Sequence, residues 1–452
     1  MPLDTAREQL AALAAGEVSS VELLDWSIAR IEAADGTLNA VVVRDFARAR
    51  NAASQADAAL ARGERQPLLG LPITVKESFN VAGLPTTWGI EGTDQIPIHQ
   101  DSVAVARLKS AGAVLLGKTN VAAQLADWQT FNPVYGVTNN PWNITRTPGG
   151  SSGGSAAALA AGYVALEMGS DLNGSMRIPA HCCGVFAHRP TFALTPIRGQ
   201  APPGTPMLSV NGNVEFATIG PMARSANDLA LALDVLAGPD DAQAVAYKLQ
   251  LPAPRATRLR DFRVLLLDEH PWGPLSADVH AALSDFAANL GNAGCKIAGS
   301  SPLLPDLGSM ASTFIKLLMA FFGAGTHQEW LDADRLRLGI AHQWRQLFQA
   351  WDVVVCPVWP TPAFAHDHSP FNDRRLDIDG TKLPYQGQAM WCSVAAIAGL
   401  PATAMPVALS SEGLPIGVQI VGPYLEDRTT IHFAELAEQA FGGFVPPPGF
   451  AD

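Results

Sequence analysis

The stretch that decides the reading of this chain is residues 147–190, TPGGSSGGSAAALAAGYVALEMGSDLNGSMRIPAHCCGVFAHRP. It carries two Gly/Ser turns, Gly149-Gly150-Ser151-Ser152-Gly153-Gly154-Ser155 and Gly169-Ser170-Asp171-Leu172-Asn173-Gly174-Ser175. Small apolar residues from Ala156 to Leu166 lie between them. The Ala, Ser and Gly of 155–162 predict a helix pressed close against neighbouring backbone. The second turn, closed by Met176-Arg177-Ile178-Pro179, is compact enough to aim several backbone N–H groups at one point. Such a nest of donors binds anions, including the oxyanion of an acyl-transfer transition state.

Two serines on two Gly-rich turns invite a nucleophile, and a serine hydroxyl needs a base. Upstream, Gly70-Leu71-Pro72-Ile73-Thr74-Val75-Lys76-Glu77 alternates as a short buried strand that delivers Lys76 to the edge of the interior. Burial disfavours the ammonium, and a neutral lysine can take a proton from a serine.

These segments together resemble the amidase signature family of serine hydrolases. The resemblance covers both serine turns, Cys183-Gly184-Val185, the Lys76 strand, and Gly112-Ala113-Val114-Leu115-Leu116-Gly117-Lys118-Thr119-Asn120. It returns in Gly399-Leu400-Pro401-Ala402 and in Leu414-Pro415-Ile416-Gly417-Val418-Gln419-Ile420-Val421-Gly422-Pro423, so it spans nearly the whole chain. It implies a triad of Lys76 as base, Ser151 as bridging serine and Ser175 as nucleophile. It also implies a cis peptide after Gly150 and an oxyanion hole from the N–H groups of Leu172, Asn173, Gly174 and Ser175. The chain departs from the family at Asn173, where a glycine is usual. Asn tolerates positive φ better than most residues, which preserves the turn, but its side chain sits where it can alter the oxyanion hole or crowd the leaving group. Asp171 and Arg177 are expected to form an ion pair that braces the turn.

Composition limits the function classes. Among 452 residues, 48% are hydrophobic and 16% charged, which predicts a large buried core. A net charge of −12 argues against nucleic acid or an anionic membrane as partner. Five cysteines (182, 183, 295, 356 and 392) have no CxxC spacing and read as reduced thiols of a cytoplasmic protein. The first twenty residues show no apolar signal segment. The apolar run 389–409 contains Gly399, Pro401 and Pro406, so it reads as core with a turn and not as a membrane span.

Two other motifs compete. Residues 112–119 match the P-loop pattern G-x-x-x-x-G-K-[ST], and the apolar 263–269 segment ends in acids that could bind magnesium. Against that, Ala113 to Leu116 are apolar and suit a buried strand after a helix. Gly149-Gly150-Ser151-Ser152-Gly153 also fits the G-x-S-x-G elbow. That elbow must follow a strand, and Pro148 and the polar residues before it argue otherwise. Neither His366, His368 nor His432 is singled out as its partner, and His366 with His368 is a weak metal motif.

Helices are expected over 4–15, 20–34 (with Ser19 and Glu22 as a capping box), 45–63, 226–237 and 276–292. Strands are expected at 41–43, 263–267, 295–298 and 353–357, with 263–298 as a crossover unit on one sheet. Residues 310–324 read as a buried helix, 239–260 as a surface excursion and 366–386 as a flexible loop. Trp128, Gln129, Phe131, Tyr385, Gln386 and Trp391 are candidates to line the pocket. The expected fold is one α/β domain over 1–452, a mixed sheet covered by helices on both sides, with its catalytic core at about 65–235. The expected function is cleavage of an amide, anilide or carbamate in a neutral small molecule, without cofactor or metal. A subunit of an amidotransferase is the alternative, and a homodimer is compatible with the sequence.

Overall fold

The computed structural model of the chain describes residues 4–206 and 216–450. Its centre is an eleven-stranded mixed sheet. In spatial order the strands are Val41–Arg44, Val114–Thr119, Pro72–Lys76, Leu166–Asp171, Thr218–Ala223, Phe186–Arg189, Ala402–Leu409, Pro415–Val421, Val353–Pro357, Arg263–Leu266 and Lys296–Ala298. Antiparallel pairs run through its middle, parallel pairs flank them on both sides, and the edge strand Val41–Arg44 pairs antiparallel with Val114–Thr119. Arg263–Leu266 and Lys296–Ala298 pair in parallel around the helix Ala277–Asn292, the expected crossover unit.

The Lys76 strand divides its side chains between two cores. Ile73 and Val75 join the apolar cluster that includes Leu229, Leu233 and Phe433. By the period of two, Thr74 and Lys76 face the other side, where the helices Ser20–Leu38 and Gly153–Ala160 lie. The helix Gly153–Ala160 is buried along its whole length. Its small residues permit that approach: a Cβ on Gly154 would stand 2.3 Å from the Asn120 nitrogen.

The P-loop reading fails on this sheet. Residues 114–119 are a fully buried strand after the helix Val103–Ser110, and Lys118 is wholly inaccessible. Gly117 is demanded by packing, because a Cβ there would meet the Val43 carbonyl oxygen at 2.4 Å. The elbow reading fails too, since no strand leads into Ser151 over residues 147–150 and the helix begins only at Gly153.

Several expected boundaries move. Gly169-Ser170-Asp171, read as part of a turn, is the end of the strand Leu166–Asp171, and only residues 172–176 make the turn before the helix Arg177–Cys183. The helix Leu307–Phe321 buries Met310, Phe314 and Leu317, while Met319, Phe321 and Phe322 are exposed at its far end. Residues 366–386 hold an antiparallel hairpin, Arg375–Ile378 with Thr381–Pro384, whose Leu376 and Ile378 reach the core. Their apolar side chains alternate at period two, which marks a strand even in a polar segment. Among the described residues no helix is long and apolar enough to cross a membrane.

Candidate active site

The last residue of the strand Pro72–Lys76 carries its side chain into the serine turns. Lys76 Nζ is fully buried, lies 2.7 Å from Ser151 Oγ and donates to Ser170 Oγ at 3.1 Å. Gln200 Nε2 donates to the same Ser170 hydroxyl at 2.8 Å, so that oxygen accepts from two sides. Burial pushes the Lys76 ammonium down to about 7, against the opposing pull of Asp171 and Glu167.

Ser151 and Ser175 are brought together by backbone. The Ser152 N–H donates to the Ser175 carbonyl at 3.0 Å, and the Ala122 N–H donates to the Ser151 carbonyl at 3.3 Å. The Gly150–Ser151 peptide is cis. Ser175 is partly exposed, whereas Ser151 is 1% exposed.

The turn that carries Ser175 is built around Asp171. Its carboxylate accepts from the Gly174 N–H at 2.8 Å and the Met176 N–H at 3.2 Å. Arg177 grips it from Nη2 at 2.9 Å and Nε at 3.0 Å, and Arg189 Nε stands 3.7 Å away. Burial opposes ionisation here, yet these cations and N–H donors outweigh it and hold the carboxyl below the usual range. The expected ion pair is therefore present and braces the turn. Arg177 continues to the Cys392 carbonyl at 3.0 Å and Gln419 Oε1 at 2.6 Å, tying the turn to the helix Met390–Ala396 and the strand Pro415–Val421.

The four expected oxyanion donors differ in their bonding. The Gly174 N–H is engaged by Asp171, whereas the N–H groups of Leu172, Asn173 and Ser175 have no acceptor among the described residues. The positive φ of the turn, +95°, falls on Gly174 and not on Asn173. A Cβ on Gly174 would meet Ile178 Cδ1 at 2.6 Å and Cys392 Sγ at 2.7 Å. Asn173 is 5% exposed and its Oδ1 finds no hydrogen-bond partner among the described residues.

The proposed pocket residues separate. Trp128 donates from Nε1 to the Asn173 carbonyl at 3.0 Å and packs on Trp359, Phe371 and Tyr385. It is thus joined to the Ser175 turn. Tyr385 is buried and donates to Asp127 at 2.9 Å, beside the Asp127–Arg374 ion pair. Gln129 exchanges two hydrogen bonds with the Asp367 backbone, and Phe131 packs on His368, so both hold the 366–386 segment down. Trp391 is buried against His270 in the cluster that Leu172 also borders. Gln386 is exposed and bonded to Asn372, and no contact joins it to the serines. Sequence reasoning missed Gln200, which lies in an irregular segment, and Glu167, whose charge inside the apolar run 164–168 was a signal.

The family model described as Amidase matches residues 22–328 and 305–431. The chain belongs to the amidase signature family. It is 34% identical to AtzE of Pseudomonas sp. (strain ADP), which forms part of 1-carboxybiuret hydrolase, over 92% of this chain and 93% of that one. It is 32% identical to the corresponding chain of the glutamyl-tRNA(Gln) amidotransferase of Roseiflexus castenholzii, over 95% and 94%. The solved 6-aminohexanoate cyclic dimer hydrolase, complexed with substrate, is 25% identical and superposes with a TM-score of 0.82 over the full length of both chains. This amidase-family chain is a hydrolase of C–N bonds.

Proposed function

We propose that this amidase is a stand-alone hydrolase of neutral amides, anilides or carbamates, acting through Ser175, Ser151 and Lys76. The observation that carries the reading is the buried Lys76 Nζ 2.7 Å from Ser151 Oγ, with Ser175 held alongside by the Ser152 N–H. Ser175 Oγ bonds to the substrate carbonyl carbon while its proton passes to Ser151 and the Ser151 proton to neutral Lys76. The N–H groups of Leu172, Asn173 and Ser175 receive the oxyanion. Lys76 then returns the proton through Ser151 to the leaving nitrogen, the C–N bond breaks, and water hydrolyses the acyl-enzyme.

The apolar border of the turn supports an uncharged substrate: Leu172 packs with Phe216, Phe314 and Trp391 on one side, and Trp128 stands on the other. Relatives named as components of an amidotransferase keep that role as the alternative. A chain acting alone on small amides excludes it, and a chain active only with added partner chains establishes it.

Labelling with a fluorophosphonate serine probe tests the reading, alongside a panel of anilides, primary amides and carbamates. Labelling disappears in Ser175→Ala and slows sharply in Lys76→Ala. Labelling that survives Ser175→Ala and vanishes only in Ser151→Ala would make Ser151 the nucleophile and sink the scheme.

A further inference from the structure

A buried carboxyl that the serine chemistry leaves unused stands beside Lys76. Glu167, on the strand Leu166–Asp171, pairs in register with Thr74 of the Lys76 strand. Thr74 and Lys76 project from the same face, the lysine roughly 6–7 Å further along. On the other flank Thr119 pairs with Lys76. The Glu167 carboxyl is 2% exposed and lies in a cradle of three hydroxyls: Thr74, Thr119 at 3.1 Å and Ser155 at 3.0 Å. Among the described residues it has no cationic partner in contact.

The groups facing Lys76 come from four directions. The neighbouring strand gives Glu167, Ser170 and Asp171, and the opposite strand gives Thr119. The Gly/Ser turn gives Ser151, and Gln200 reaches in through Ser170. Two of these are carboxyls. Asp171 is already matched by the guanidiniums of Arg177 and Arg189. Glu167 is matched by hydroxyls and the Met168 backbone, and by no guanidinium or ammonium contact among the described residues.

We propose that Glu167 is a positioning residue for the base, supplying the counter-charge that sets the basicity of Lys76 and holds its ammonium while the Ser175 proton is in transit. The inference rests on the reading of Lys76 as base. Burial raises the Glu167 carboxyl against its hydroxyl donors and lowers Lys76, and the Glu167 charge opposes the lowering of Lys76. With Glu167 as carboxylate, the proton that leaves Ser175 converts neutral amine beside carboxylate into ammonium beside carboxylate, so Lys76 is protonated without leaving an unmatched positive charge in the interior.

Glu167→Gln keeps the shape and the hydroxyl contacts but removes the counter-charge. The ammonium becomes less favourable and Lys76 titrates at lower pH. The experiment measures the second-order rate of fluorophosphonate labelling against pH for wild type, Lys76→Met and Glu167→Gln. Lys76→Met first decides who owns the acid limb: a limb that survives there refutes Lys76 as base, independently of Glu167. With the limb assigned to Lys76, Glu167→Gln moves its midpoint down by roughly 1 unit and lowers the plateau about 3–10-fold. A structural glutamate would lower stability and leave the midpoint in place, so an unmoved midpoint in folded Glu167→Gln overturns the proposal. If that variant does not fold, Thr119→Val decides. Loss of one hydroxyl donor weakens the carboxylate and shifts the midpoint the same way, by about half a unit, and an unmoved midpoint there is equally fatal.

Discussion

Lys76 and Lys118 stand on neighbouring parallel strands, both wholly buried and both sequence candidates for chemistry. They differ in the face they take. A register shift between Ile73 and Thr74 pairs Thr119 with Lys76 and Lys118 with Val75, so the two lysines point to opposite sides of the sheet. Lys118 donates to the Pro85 carbonyl and to Thr86 Oγ1 at 2.9 Å, with Glu77 at 3.9 Å. Glu77 in turn accepts from the Thr87 and Trp88 N–H groups and from Tyr135, so Lys118 closes a network that pins residues 85–88. Lys76 meets mainly hydroxyls, which exchange protons. Burial lowers both ammoniums, Lys118 to about 8 and Lys76 to about 7, so depth alone does not distinguish them. Their partners do.

The sharpest way to break this contrast is to remove each amine in turn. Lys76→Met lowers kcat by about 10²–10⁴-fold, the range of a lost general base. It also abolishes the acid limb of the pH profile, which in wild type rises through about pH 7 because the neutral amine is the active form. Lys118→Met leaves Glu77 without its cation and costs stability, about 3 kcal/mol for a broken buried pair, while the limb of the surviving enzyme stays at its wild-type midpoint. If Lys118→Met moved the limb, or Lys76→Met only lowered the melting temperature, the assignment of roles would be reversed.

The same contrast shows what the sequence could tell. The P-loop letters of residues 112–119 were real, but Gly117 answers to the Val43 carbonyl and not to a phosphate, a constraint between strands some 70 residues apart that no local pattern displays. The serine turns were legible because their residues are demanded locally: glycine at 174 by its positive φ and neighbouring Ile178, small residues at 153–160 by a helix with no exposed side. Gln200 was invisible because its role depends on remote hydrogen bonds to Ser170 and Ser78. Residues 366–386 read as a loose loop because their polar composition hides Arg374, which is 5% exposed, pairs with Asp127 and lies over the rings of Phe131, Phe371 and Tyr385.

A smaller effect separates bracing from chemistry at the Ser175 turn. Arg177→Leu leaves Asp171 buried with Arg189 alone at 3.7 Å. Removing one partner of such a pair costs about 3–5 kcal/mol, and the melting temperature falls by about 3–5 °C for a chain of this length. The pH dependence has a definite sign. The Asp171 carboxyl is held below its unfolded value, so its contribution is present above about pH 4 and is lost as pH falls through the folded value. Arg177→Leu diminishes that contribution, and the acid-unfolding midpoint moves to higher pH. An unchanged midpoint would mean that Arg189 and the backbone donors suffice.

The smallest expected effect lies where the aromatic roof meets the turn. Trp128 Nε1 donates to the Asn173 carbonyl at 3.0 Å, and its ring packs on Trp359, Phe371 and Tyr385. Trp128→Phe keeps most of the packing and deletes the donor. A net hydrogen bond of this kind is worth about 1 kcal/mol, which corresponds to roughly 5-fold in rate if it acts on the transition state. That carbonyl precedes the Gly174 nitrogen, which Asp171 holds from the opposite side. The peptide between residues 173 and 174 is therefore fixed at both ends, and the flanking Asn173 and Ser175 N–H groups take their directions from it. Loss of the Trp128 bond should lower kcat by that factor with little change in KM for small substrates, because it disturbs oxyanion alignment more than the ground-state complex. A rise in KM with kcat intact would instead make Trp128 a wall of the substrate pocket. In that case the roof recognises the substrate, and the Ser175 turn keeps its geometry through Asp171 and Arg177 alone.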